Sequence, residues 1–120
     1  MQKLFGWMNK GGHNAQSDVT AEEVQRRQAG GENLLILDVR EPNEYKEAHV
    51  PGSMLVPLGQ LAYKVAELPK DRPIVAICRS GNRSGVATNM LLRAGFNEVQ
   101  NLSGGIMAWA RAGGPLKRGN

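Results

Sequence analysis

Residues 74–85 read "IVAICRSGNRSG", an apolar run that ends at a cysteine and passes directly into a Gly/Arg/Ser loop. The stretch "PIVAIC" (73–78) is short and continuously apolar, the pattern of a strand covered on both faces. From Ser84 the spacing predicts a helix, with Val86 and Met90, and Ala87 and Leu91, as stacked pairs and Gly95 beyond its end. Strand, tight loop and helix make up half of a βαβ unit, so the neighbouring segments decide whether the pattern repeats.

It repeats on both sides. "NLLILDV" (33–39) is a second buried-strand run, and "EPNEYKEAH" holds about two helical turns with Pro42 near the start. "SMLVP" (53–57) reads as a further short strand. "LGQLAYKVAELP" then sets Leu58, Leu61, Ala62 and Val65 at helical spacing before Pro69. "NEVQNL" (97–102) is a short polar strand, and "SGGIMAWARAGG" is a last helix that buries Ile106, Trp109 and Ala110. Upstream, "SDVTAEEVQRRQAGG" offers Thr20 and Glu23 as a capping box and Gly30–Gly31 as a stop. Alternation at such short connections implies an α/β domain, a mainly parallel sheet with helices on both faces. In such sheets ligands bind beyond the carboxyl ends of the strands, which is where Cys78 falls.

A chain of 120 residues suits one domain. We expect a flexible tail over 1–17, the domain over 18–115 and a C-terminal tail over 116–120. The net charge of +4 comes from the ends: five of the fifteen basic residues lie in 1–13 and 111–120, neither of which holds an acid, and the middle is −1. No basic stripe follows any predicted helix, so the charge does not argue for nucleic acid. One cysteine excludes an internal disulfide. The segment "LFGW" is too short for a signal-peptide core, and no apolar run is long enough to span a membrane. The expected setting is cytoplasmic, with "LFGW" open to contact with a membrane surface.

The loop Cys78-Arg79-Ser80-Gly81-Asn82-Arg83-Ser84 carries the chemistry. A strand–loop–helix turn rich in Gly, Ser and Asn can aim successive backbone N–H groups at one point, making a nest for an anion or a polarisable sulfur. The following helix presents its positive end there. Arg79 and Arg83 flank the thiol, and no acid lies between 72 and 97. An ordinary thiol, with pKa about 8.5, is only a few per cent ionised at neutral pH. A lowering of about two units, within the range produced by cations and helix N-termini, makes most of it thiolate.

Four segments together carry a family resemblance: "LILDVREPNEYKEAHVPGS", "VPLGQL", "IVAICRSGNRS" and "LSGGIMAW". In this order they resemble the single-domain rhodaneses, which are sulfurtransferases, over about residues 18 to 115. Ala48 and Ser53 depart from the residues usual there and do not touch the loop. The resemblance implies a five-stranded rhodanese-like sheet. It also implies that Cys78 attacks the outer sulfur of a donor such as thiosulfate, releasing sulfite, and carries a persulfide until an acceptor takes it. Cyanide, a thioredoxin-like thiol and a sulfur-carrier protein are the acceptors implied.

Arg79 and Arg83 suit an anionic sulfonate, and Ser80, Gly81, Asn82 and Ser84 would complete the donor site. Asp38 and Arg40, at a neighbouring strand end, are candidates for support behind it, or for a salt bridge bracing the turn, such as Arg40 with Glu47. His49, just before Val-Pro-Gly, is a candidate general base, with a neutral histidine hydrogen-bonded to the turn as the favoured reading. The two histidines and one cysteine make no metal site, and no cofactor is expected.

Two other readings stay open. Cysteine phosphatases and arsenate reductases place Cys and Arg on a similar cradle, but their spacing is Cys-x5-Arg, whereas Cys78 and Arg83 give Cys-x4-Arg. Rhodanese-like domains also serve as non-catalytic binding modules, commonly without the cysteine.

Overall fold

The computed structural model describes residues 17–120. Its strands are β1 (Asp18–Val19), β2 (Leu35–Asp38), β3 (Met54–Leu55), β4 (Ile74–Ile77) and β5 (Val99–Leu102). They form one parallel sheet in the order β1-β5-β4-β2-β3. Its α-helices are α1 (Ala21–Ala29), α2 (Pro42–Glu47), α3 (Leu61–Lys64), α4 (Asn82–Arg93) and α5 (Gly105–Arg111). Short 3-10 turns at Leu58–Gln60 and Val65–Glu67 flank α3.

The continuous apolar runs are explained by burial on both sides of the sheet. Leu35, Leu37, Ile74 and Ala76 share a core with Leu61, Ala87 and Leu91 of α3 and α4. Their alternates Ile36, Val75 and Ile77 share the opposite core with Val24 of α1 and Trp109 of α5. Each such aliphatic side chain withdrawn from water contributes roughly 1.5–3 kcal/mol. Trp109 is fully buried and its indole N–H donates to the Pro115 carbonyl at 2.8 Å.

Several local expectations change. Asp18–Val19, read as the approach to a helix, is an edge strand paired with Asn101–Leu102. Thr20 Oγ1 does cap α1 by accepting from the Glu23 N–H, but the Glu23 carboxylate turns to Arg26 instead of returning to the cap. Ala110, expected to be buried, is exposed, as are Ala62 and Val86 of the helical-spacing patterns, because each helix buries a narrower stripe than its apolar residues suggest. The last residues are tied to α2: His49 and Lys117 exchange backbone hydrogen bonds at 2.9 and 2.8 Å, and the Gly119 N–H donates to the Lys46 carbonyl. The "LFGW" segment lies outside the described residues. No helix among the described residues is long and apolar enough to cross a membrane.

Candidate active site

β4 delivers Cys78 to the carboxyl edge of the sheet, one residue beyond Ile77. The loop after it curls tightly because Gly81 adopts a φ of +112°, a conformation glycine takes without steric cost, and caps α4. α5 presses on the same loop from the other side. The Ile106 N–H donates to the Cys78 carbonyl at 2.8 Å and the Met107 N–H to the Arg79 carbonyl at 3.4 Å. This approach requires Gly105, where a Cβ would stand 2.3 Å from the Arg79 oxygen and 2.4 Å from the Cys78 oxygen.

The Cys78 side chain is almost wholly buried, with the residue 1% exposed. The Gly81 N–H donates to Sγ at 3.1 Å, and Ser84 Oγ lies 3.3 Å from it. Burial pushes the thiol up. The Ser84 hydroxyl and the amides of Ser84, Gly81 and Ser80 push it down further, and the thiol ends below its ordinary value. The Gly81 N–H and the Ser84 hydroxyl are the donors within reach of Sγ, and the amides and hydroxyl, more than the arginines, lower the thiol. Ser84 Oγ also lies 2.5 Å from Asn101 Oδ1, and Asn101 Nδ2 donates to Asp18 Oδ1 at 3.4 Å. With a single proton to give, the hydroxyl serves either the amide or the sulfur, and an ionised sulfur is the stronger acceptor.

The two arginines part company. Arg79 is exposed and enters no ion pair among the described residues. Arg83 is forked onto Glu44, Nη1 to Oε1 at 2.8 Å and Nη2 to Oε2 at 2.9 Å. That hydrogen-bonded pairing holds the Glu44 carboxyl down at about 2, while the Arg83 guanidinium is raised by Glu44 first and also by the charge of Cys78. Glu44 is itself fixed at the first turn of α2, where it accepts the Glu41 N–H at 2.9 Å. Asn82 and Ser80 have exposed side chains at the rim, where the loop borders a pocket of about 220 Å³.

Asp38 and Arg40 come together, but the expected partner was wrong. Arg40 pairs with Asp38 rather than Glu47, its Nε and Nη2 reaching the carboxylate at 2.9 and 2.8 Å, and Nη2 also donates to the Ala48 carbonyl. Both residues are buried, where only a fully hydrogen-bonded pair is tolerated, and two residues' separation brings the groups into register. The pair braces the turn after β2. His49 is buried too, stacked on Tyr45 at 3.7 Å between centroids, with Nδ1 2.8 Å from the Tyr45 carbonyl. Glu44, Asn101 and Gly105 went unnoticed in the sequence. Only the Gly-Gly pair gave any signal, as part of a family motif.

A lone thiol in an amide-lined cradle, beyond the carboxyl edge of a parallel sheet, defines a class of α/β domains that handle a thiolate or an anion. The particular family follows from comparison. A rhodanese-like domain model matches residues 20–112, and the chain belongs to the rhodanese family. It is 38% identical over 100 residues to a sulfurtransferase of Allochromatium vinosum, covering 83% of this chain and 94% of that one. It is 36% identical over 81 residues to the thiosulfate sulfurtransferase GlpE of Pseudoalteromonas translucida, covering 68% and 77%. The Alr3790 protein from Anabaena superposes with a TM-score of 0.78 at 33% identity, covering 83% of this chain and 80% of that one.

Proposed function

We propose that the chain is a sulfurtransferase that moves sulfane sulfur from an anionic donor such as thiosulfate, through a persulfide on Cys78, to a thiophilic acceptor. The observation that carries this reading is the buried Sγ held by the Gly81 N–H at 3.1 Å with the Ser84 hydroxyl beside it. These groups favour a negative sulfur, the form needed for attack and the form of the persulfide product.

The Cys78 thiolate attacks the outer sulfur of the donor. A new S–S bond forms at Cys78, the donor's own S–S bond breaks, and its electron pair leaves with sulfite. The persulfide anion then sits among the loop amides. An acceptor such as cyanide or a thiolate attacks its terminal sulfur, and the electron pair returns to Cys78. Arg79, exposed at the rim, suits the sulfonate end of the donor, and Ser80, Gly81, Asn82 and Ser84 frame the sulfur. A free thiol that must remain reduced fits a cytoplasmic setting.

Thiocyanate production from thiosulfate and cyanide tests the proposal. The wild-type chain should produce it and Cys78→Ser should not, with the circular dichroism spectrum unchanged. Hydrolysis of an aryl phosphate without thiocyanate would favour the phosphatase reading. Neither activity, with a folded protein, would favour a binding module.

A further inference from the structure

We propose that Glu44 sets the charge preference of the donor site: by holding Arg83, it makes the cradle a poorer host for dianionic sulfur donors than for monoanionic ones. This rests on the sulfurtransferase reading and deepens it.

Most charges around the loop are already committed to partners. Arg83 stands on the same loop as Cys78, close enough for the two charges to interact, and both ends of its guanidinium fork are taken by Glu44 at 2.8 and 2.9 Å. Glu44 cannot easily swing away, because its Oε1 also accepts the Glu41 N–H at the start of α2. Its side chain is 24% exposed, against 35% for Arg83, so water screens the pair only in part. Arg40, beside them, is committed to Asp38. Arg40, Glu44, Glu47 and Arg79 line one pocket of about 210 Å³, and of its two arginines Arg79 is the one that enters no ion pair among the described residues. A donor drawn to Arg83 therefore also meets the Glu44 carboxylate, whose repulsion offsets that attraction. Coulomb energy is linear in the donor's charge, so a second negative charge doubles what is lost.

Two donors of nearly the same shape separate charge from fit. Thiosulfate carries two charges; methanethiosulfonate has a methyl group in place of one oxyanion and carries one. With either, the thiolate forms a bond to the outer sulfur, the S–S bond breaks, and sulfite or methanesulfinate leaves with the electron pair.

The test is KM and kcat for both donors, with cyanide as acceptor, in the wild type, Glu44→Gln and the double variant Glu44→Gln/Arg83→Gln. Glutamine keeps an oxygen for the Glu41 N–H, and melting by circular dichroism checks the fold. Freeing Arg83 should lower KM for thiosulfate about tenfold, which corresponds to roughly 1.4 kcal/mol. Linearity in charge then gives about threefold for methanethiosulfonate. The double variant should return the ratio of the two KM values to within about twofold of the wild type, and added salt should shrink the difference. An unchanged ratio in Glu44→Gln, an equal fall for both donors, or a gain that survives in the double variant would overturn the proposal. Failure of both donors to load sulfur onto the wild-type chain would overturn the sulfurtransferase reading itself, and this inference with it.

Discussion

Replacing Gly105 by alanine tests whether α5 sets the shape of the cysteine loop. The added Cβ would lie 2.3 Å from the Arg79 carbonyl oxygen and 2.4 Å from both the Arg79 carbon and the Cys78 oxygen. All three are backbone atoms, so no side chain can swing aside, and relief requires α5 and the loop to separate by about 1 Å. The φ of +63° adds a left-handed penalty of about 1–2 kcal/mol for any residue with a Cβ. Overpacking adds about 1–3 kcal/mol, for a total of about 2–5 kcal/mol. For a domain of this size that lowers Tm by roughly 8–20 °C. Gly113→Ala is the control, since its φ is +80° and nothing lies within 4 Å of the new atom. It should lose only the backbone penalty, about 1–2 kcal/mol. Displacement of the loop by about 1 Å should also cost sulfur transfer on the order of a hundredfold. The assays are thermal melting and thiocyanate formation. Equal melting of the two variants, with transfer in Gly105→Ala at the Gly113→Ala level, would refute the reasoning.

Three further outcomes follow from the same geometry. The rate of iodoacetamide alkylation at Cys78 should rise with pH and level off below the range of an ordinary thiol, because the loop holds the thiol down; a free-cysteine profile would contradict this. Ser84→Ala should shift that profile to higher pH, since the hydroxyl 3.3 Å from Sγ is lost, and should destabilise the fold by about 1–3 kcal/mol by removing the serine donor from the buried Asn101 Oδ1. Glu44, held at about 2 by Arg83, contributes stability that is fully present above its ordinary 4.5 and is lost as pH falls toward 2. Wild type should therefore melt above Glu44→Gln at pH 7 by about 4 °C, for a partly exposed pair worth about 1 kcal/mol. The gap should close in acid, and a gap independent of pH would exclude the ion pair as its source.

Much of this molecule was legible because its information is local. The runs at 33–39 and 73–78 announce doubly covered strands, and the loop from Cys78 to Ser84 carries its own donors. What stayed hidden depends on partners distant in sequence. Asp18–Val19 is too short for any periodicity and is a strand only because Asn101–Leu102 pairs with it. Glu44 meets Arg83 across 39 residues, and no local pattern marks such a pair. Glu47 stood as the example of a turn-bracing partner for Arg40, whereas burial selected Asp38, whose carboxylate accepts both the Arg40 backbone N–H and its guanidinium. The close approach of Gly105 to the cysteine loop likewise exists only once α5 is docked.

Intact-mass measurement after treatment with thiosulfate addresses the central claim most directly. The account predicts that the wild-type chain gains the mass of one sulfur atom, that cyanide removes it, and that Cys78→Ser never acquires it. A wild-type mass unchanged by thiosulfate and by methanethiosulfonate would contradict the assignment of Cys78 as a sulfur carrier.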